Sequence, residues 1–301
     1  MKKFFAVLAA CVFFAGVWAT APAAAEEMRI MASFYPIYIL AMPVFEGVEG
    51  VALDCMTAPE TGCLHDYQLL VSDMMKLSEA EALIVCGAGM ENYLPDVSKQ
   101  FPNLTVIDCS QGIDLLPEDV HHQEEADEAE EYNAHTWLDA QNAIRIVKTI
   151  AEGAGTLFPE KAEQLNANAE AYIARLEALD AEIREQLLPV AGGKIVTFHE
   201  AFPYFARAYG LEIAAVISEE HEDTLSPAQL TAVIETVREA GNPPLFTEPQ
   251  YSDAAAFAVA AETGAQIYEL DPLASGEISP DAYEQGMRRN ARAILNAFGQ
   301  E

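Results

Sequence analysis

Apolar positions in this chain follow two rhythms that take turns. Short continuous apolar runs are succeeded by stretches in which apolar residues return every three or four positions. Arg29 to Phe34 reads as a strand, and Tyr35 to Val44 as a helix with a proline at its start. Val51 to Met56 is the next strand, Ser72 to Glu79 a helix, and Ala82 to Cys86 and Leu104 to Asp108 are further strands. Strands alternating with helices predict a parallel sheet covered on both faces.

From Pro159 to about Leu188 the helical rhythm runs uninterrupted. Leu165, Ala169, Tyr172, Leu176, Leu179, Ile183 and Leu187 form one apolar stripe. A helix of about thirty residues spans roughly 45 Å, more than the width of one lobe. It therefore predicts a helix bridging two lobes, ended by Pro189 and Gly192-Gly193. A second strand and helix series follows. Lys194 to Phe198, Ile213 to Ile217, Leu245 to Thr247 and Gln266 to Leu270 read as strands. Ala201 to Tyr209, the segment capped by Ser226-Pro227 and running to Ala240, Asp253 to Thr263, and Asp281 to Phe298 read as helices. The expected fold is α/β, with two lobes, each a small parallel sheet flanked by helices, joined by one long rigid linking helix. The boundaries expected are a leader at 1–25, an N-terminal lobe at 26–158, the linking helix at 159–189 and a C-terminal lobe at 190–301. A rigid link predicts small lobe movements on ligand binding.

The leader has the marks of an export signal. Lys2 and Lys3 precede the apolar run Phe4 to Trp18, and Ala21 to Ala25 offers small residues for cleavage after Ala25. Leu8-Ala9-Ala10-Cys11 also resembles a lipobox, so a lipoprotein anchor through Cys11 is the second reading. It ranks lower because the apolar stretch before Cys11 is very short and another follows. No later segment is long and apolar enough to span a bilayer, so the mature chain is expected in the periplasm and not across the membrane.

A formal net charge of −32 argues against nucleic acid as a partner. It suits a cation binder and equally a chain selected for solubility. Residues 118–131 are mostly Asp and Glu around the adjacent His121 and His122. Such a tract cannot bury itself and is expected to be a loop. Four cysteines follow the leader: Cys55, Cys63, Cys86 and Cys109. In an exported chain they suggest disulfides, and Cys86–Cys109 with Cys55–Cys63 is the favoured pairing of the three available. A thiolate metal ligand at Cys63, two residues before His65, is the rival reading.

Candidate chemistry gathers at three widely separated histidines, His65, His135 and His199, and at Asp271. No single element can unite them. In an open α/β sheet, ligands bind beyond the carboxyl ends of the strands. His199 and Asp271 follow expected strands, while His65 and His135 lie in loops before helices. Two ligands from each lobe would meet in the cleft. Three imidazoles and a carboxylate suit zinc and, less sharply, manganese or iron. Four protein ligands leave no position for an activated water, and the chain has no His-Glu-x-x-His, phosphate-cradling glycine loop or Gly-x-Ser-x-Gly elbow. The expectation is a binding protein and not an enzyme. A zinc hydrolase, using Glu248 or Glu200 as base, is the less favoured alternative. Glu248, at the end of Leu-Phe-Thr-Glu-Pro, either replaces Asp271 or holds a histidine from behind. Glu200 is expected to cap the helix after His199.

Four motifs, in order, carry a resemblance. They are His65 with Tyr67 and Val71-Ser72-Asp73, His135-Thr136-Trp137-Leu138-Asp139, Phe198 to Phe205, and Asp271-Pro272-Leu273. The chain resembles the solute-binding proteins of zinc and manganese ABC transporters, the high-affinity zinc uptake components in particular, over about residues 28 to 298. The resemblance implies His65, His135, His199 and Asp271 as metal ligands, zinc or alternatively manganese as cargo, and a membrane permease as partner. A monomer is expected. A histidine at the third ligand position implies zinc more than manganese. The acidic tract occupies the place of a zinc-collecting loop in such proteins. Two positions depart from the pattern: Cys63-Leu64 stands where Asp-Pro is usual, and Val71 where proline is usual.

Overall fold

Two four-stranded parallel sheets with the same strand order frame the structure, a computed structural model. It describes residues 27–65, 67–118, 132–217, 226–250 and 254–300. The leader with Cys11, and nearly all of the acidic tract with His121 and His122, lie outside the described residues.

The first sheet is built from β1 (Met28–Ala32), α1 (Tyr35–Phe45), β2 (Val51–Cys55), α2 (Val71–Ser78), β3 (Ala82–Val85), α3 (Leu94–Gln100) and β4 (Thr105–Asp108). Its order is β2-β1-β3-β4. After a 3-10 turn at Thr136–Leu138 come α4 (Ala140–Leu157) and α5 (Ala162–Leu187). The second sheet comprises β5 (Lys194–Thr197), α6 (Pro203–Tyr209), β6 (Glu212–Val216), α7 (Pro227–Glu239), β7 (Leu245–Thr247), α8 (Ala254–Thr263), β8 (Ile267–Glu269) and finally α9 (Ala282–Ala297). Its order, β6-β5-β7-β8, repeats the first. In each sheet the chain leaves the first strand on one side and returns on the other. A crevice opens between β1 and β3, and another between β5 and β7.

Local chemistry sets several boundaries. Ser226 caps α7, accepting from the Gln229 amide, while the Gln229 side chain accepts from the Ser226 amide. Gly210 ends α6 with φ of 74°, a left-handed turn that costs glycine little. Asp73 organises the start of α2, where its carboxylate accepts from the Leu70 amide and the Tyr67 hydroxyl.

The stripe on α5 is buried along its whole length. This helix of 26 residues packs most extensively on α4 and also against α1, α9 and α6. Arg288 of α9 donates through Nε and Nη2 to both oxygens of the Glu182 carboxylate of α5. One continuous core therefore includes Ile30 and Ile84 of the first sheet, Leu176 of α5, and Phe205 and Met287 beyond it. A separate small cluster of Val196, Ile217, Val237, Leu245 and Val259 lies under α7 and α8.

The expected disulfides are corrected. Cys55, Cys86 and Cys109 carry free thiols, so neither bridge is present. Cys86 and Cys109 follow the adjacent strands β3 and β4, but the Cys86 thiol turns to the Ala134 carbonyl at 3.3 Å and the Thr136 hydroxyl at 3.8 Å. Burial pushes both thiols well above their usual range. Strand adjacency brought the backbones together, and the side-chain direction decided against the bond.

Candidate metal centre

His135 makes ring contacts with both of the other two imidazoles, one tilted and one edge-to-face. Its ring centroid lies 5.3 Å from that of His65 and 5.3 Å from that of His199. His65 stands in the loop between β2 and α2, His135 at the entry to the 3-10 turn before α4, and His199 two residues past β5. The first two belong to one half of the chain and the third to the other.

Each of the two deeply buried rings is held from behind. The Asn133 side-chain oxygen accepts from the His135 amide at 3.1 Å, an Asx turn, and lies 3.3 Å from His135 Nδ1. An amide oxygen can only accept, so Nδ1 carries the proton and Nε2 keeps its lone pair. Burial, with His199 and His65 nearby, pushes His135 well below the usual imidazole range and keeps it neutral. For His199, Glu248 at the end of β7 supplies the partner. Its Oε1 lies 2.5 Å from His199 Nδ1 and 3.3 Å from the His199 amide nitrogen. Glu248 is 2% exposed, and burial pushes its carboxyl up against the opposing pull of His199. This is the arrangement in which a carboxylate fixes tautomer and raises the basicity of a ligand ring.

The site is stapled across the two halves. The Tyr204 hydroxyl donates to the Asn133 carbonyl at 2.9 Å, and the Asn133 side-chain amide donates to the Glu200 carbonyl at 2.6 Å. The Trp137 indole donates to the Pro272 carbonyl at 2.8 Å, and Tyr283 donates to the Trp137 carbonyl at 2.7 Å. The Tyr35 hydroxyl reaches the Glu277 carbonyl at 2.8 Å. These bonds explain two further motif residues: Trp137, whose ring also packs against His135 at 5.2 Å, and Tyr204 set the position of one half against the other.

Asp271 is placed differently from the three rings. Its carboxylate accepts from the Leu273 amide at 2.8 Å, lies 3.5 Å from the Gln250 side-chain nitrogen, and faces Arg289 Nη2 at 3.7 Å. Asn290 pairs with its backbone on both sides. Burial raises its carboxyl above the usual range, and these partners oppose the rise. Among the described residues, the group of donor atoms close enough to share one ion is Cys63, His135 and His199, all within 4.8 Å of one another. Glu200 does not cap α6. That helix starts at Pro203 with Phe202 at its cap and no side-chain bond there. Pro203 brings no amide to be capped, and the Glu200 carbonyl instead receives Asn133.

Asn133 escaped sequence reasoning, although an Asn two residues before a candidate ligand is a readable Asx-turn signal.

A family model described as zinc-uptake complex component A, periplasmic (ZnuA), matches residues 30–297. The high-affinity zinc uptake system protein ZnuA of Brucella suis is 28% identical over the full length of both chains. A crystal structure of ZnuA superposes with a TM-score of 0.77 at 30% identity, covering 90% of this chain and 99% of the other. The SBP FpvC from Pseudomonas aeruginosa in complex with Mn2+ gives a TM-score of 0.82 at 25% identity, covering 91% and 99%. The chain belongs to the periplasmic zinc-uptake component A family.

Proposed function

We propose that this member of the zinc-uptake component A family captures zinc(II) outside the cytoplasmic membrane and hands it to the permease of an ABC transporter. It is a carrier and not an enzyme. The observation that carries the reading is the convergence of His65, His135 and His199 from two stapled halves, with Nδ1 of the two buried rings engaged from behind. A His135 ring kept neutral by burial, together with two Nδ1 atoms engaged from behind, forms a preorganised nitrogen site, which suits zinc better than the harder manganese.

The reading assigns His65, His135 and His199 as ligands, with Glu248 holding His199. In the sequence-derived ligand set Asp271 is the fourth. No helix among the described residues is long and apolar enough to cross a membrane. The relatives include a zinc-binding lipoprotein of Streptococcus pneumoniae, of which this chain spans 62% of the length, as well as the Brucella protein. We assign this chain a leader cleaved after Ala25 and a monomeric periplasmic form. Mass spectrometry of the exported protein tests both: a lipidated Cys11 at the mature N-terminus would overturn the cleavage site.

Manganese is the second reading, favoured by the likeness to the manganese complex of FpvC. Competition titration decides. Purified protein should retain zinc when challenged with excess manganese, and His199→Ala should lose zinc affinity by more than about a hundredfold, a larger cost than loss of a supporting residue. Equal zinc affinity in that variant would overturn the site.

A further inference from the structure

We propose that Cys63 is a ligand of the captured ion, so that the metal is held by a thiolate together with imidazoles, in the position that the sequence alone gives to Asp271. The proposal rests on the reading of the three histidines as the capture site.

The distances favour sulfur. Cys63 Sγ lies 3.5 Å from His135 Nε2, the nitrogen left with its lone pair by the Asn133 contact. Zinc–sulfur and zinc–imidazole bonds of about 2.3 and 2.0–2.1 Å at a tetrahedral angle put sulfur and nitrogen roughly 3.5 Å apart. The pair already stands at the edge length of such a site. His199 completes the group, since one donor atom from each of Cys63, His135 and His199 falls within 4.8 Å of the others. The His65 ring lies against His135 as well, centroid to centroid 5.3 Å.

The carboxylate has other partners. Asp271 is engaged by Leu273, Gln250 and Arg289 and does not belong to that group of donors. Cys63 does belong to it. Without metal, its S–H can donate to His135 Nε2. As the metal bonds to sulfur and to that nitrogen, the thiol proton passes to solvent. Position 63 is also where the sequence departs from the motif, with Cys63-Leu64 in place of Asp-Pro. A thiolate softens the donor set and moves selectivity further from manganese and towards zinc.

Cobalt(II) replaces zinc as a spectroscopic probe in the mature protein. The wild type and Asp271→Asn should both show a near-ultraviolet sulfur-to-cobalt charge-transfer band alongside the visible bands of a tetrahedral site. Cys63→Ser should lose the sulfur band, keep cobalt bound through the histidines, and bind zinc at least roughly tenfold more weakly. In the unaltered protein, zinc should shield Cys63 but not Cys55 from iodoacetamide, read by peptide mass spectrometry. This second readout stands even if Cys63→Ser folds poorly. Stoichiometric cobalt binding without a sulfur band, or labelling of Cys63 unchanged by zinc, overturns the proposal and leaves the capture site intact. Absence of any stoichiometric binding overturns the capture reading itself.

Discussion

At the crevice where β1 and β3 part, Glu91 sits fully buried and accepts from the Ser33 hydroxyl at 2.7 Å and the amides of Cys86 and Gly87 at 2.8 and 3.0 Å. At the corresponding crevice between β5 and β7, Glu248 sits equally buried and accepts from the Nδ1 and amide nitrogens of His199. The topology is the same, and a carboxylate closes both crevices. In the first sheet it ties strand ends to each other, helped by Gly87, whose left-handed φ of 78° and missing Cβ leave room for Asp108 and Ser110. In the second it aims an imidazole. A repeated fold thus supplies two equivalent positions, and only the second carboxylate holds an imidazole. The first half contributes His65 and His135 from segments outside its crevice.

The two halves also differ in what lies beneath them. The first sheet shares its core with α5 and α9, whereas α7 and α8 cover a small separate cluster. The largest effect should come from the shared core. Leu176→Ala on α5 should cost about 2–5 kcal/mol and lower the melting of the whole chain, while Val259→Ala under α8 should cost roughly 2 kcal/mol. Thermal denaturation checks both, and equal losses would erase the distinction.

Glu91 provides the next test. Burial raises its pKa from 4.5 to about 7, with Ser33 and the two amides opposing. The folded chain therefore keeps a proton that the unfolded chain has released. The associated stability is fully present below about pH 4.5, falls as pH rises towards 7, and is lost above it, about 3 kcal/mol in all. Glu91→Gln should flatten that part of the stability profile without changing zinc stoichiometry. A profile of unchanged slope would show that the two crevices do not differ in this way.

A smaller effect is expected at Glu248. Glu248→Gln should weaken zinc binding by about 10- to 100-fold, because the amide holds His199 less firmly and lowers its basicity. Isothermal titration against a chelator measures it. An unchanged affinity would make Glu248 the equal of Glu91, a structural carboxylate only.

Much of this was legible beforehand for a simple reason. The stripe on α5 repeats at helical spacing, and the same residues line the buried face of the helix. Apolar runs such as Ala82 to Val85 are buried on both faces, as strands inside a covered parallel sheet must be. The three histidines could be picked out because His199 follows a strand and His65 and His135 lie in loops before helices. What was not legible depends on side-chain direction. The spacing of Cys86 and Cys109 suits a bridge, yet the Cys86 thiol points to Ala134. Glu200 has the composition of a cap, yet its carbonyl receives Asn133.

By itself, the sequence determined the alternation of strands and helices, the continuous α5 and the residue types able to hold a metal. These are consequences of periodicity and chemistry carried by neighbours along the chain. The tertiary structure alone decided which donors meet. It set Cys63 against His135 and turned Asp271 towards Arg289, because those partners are separated in sequence and their distances are fixed only when both halves pack on one core.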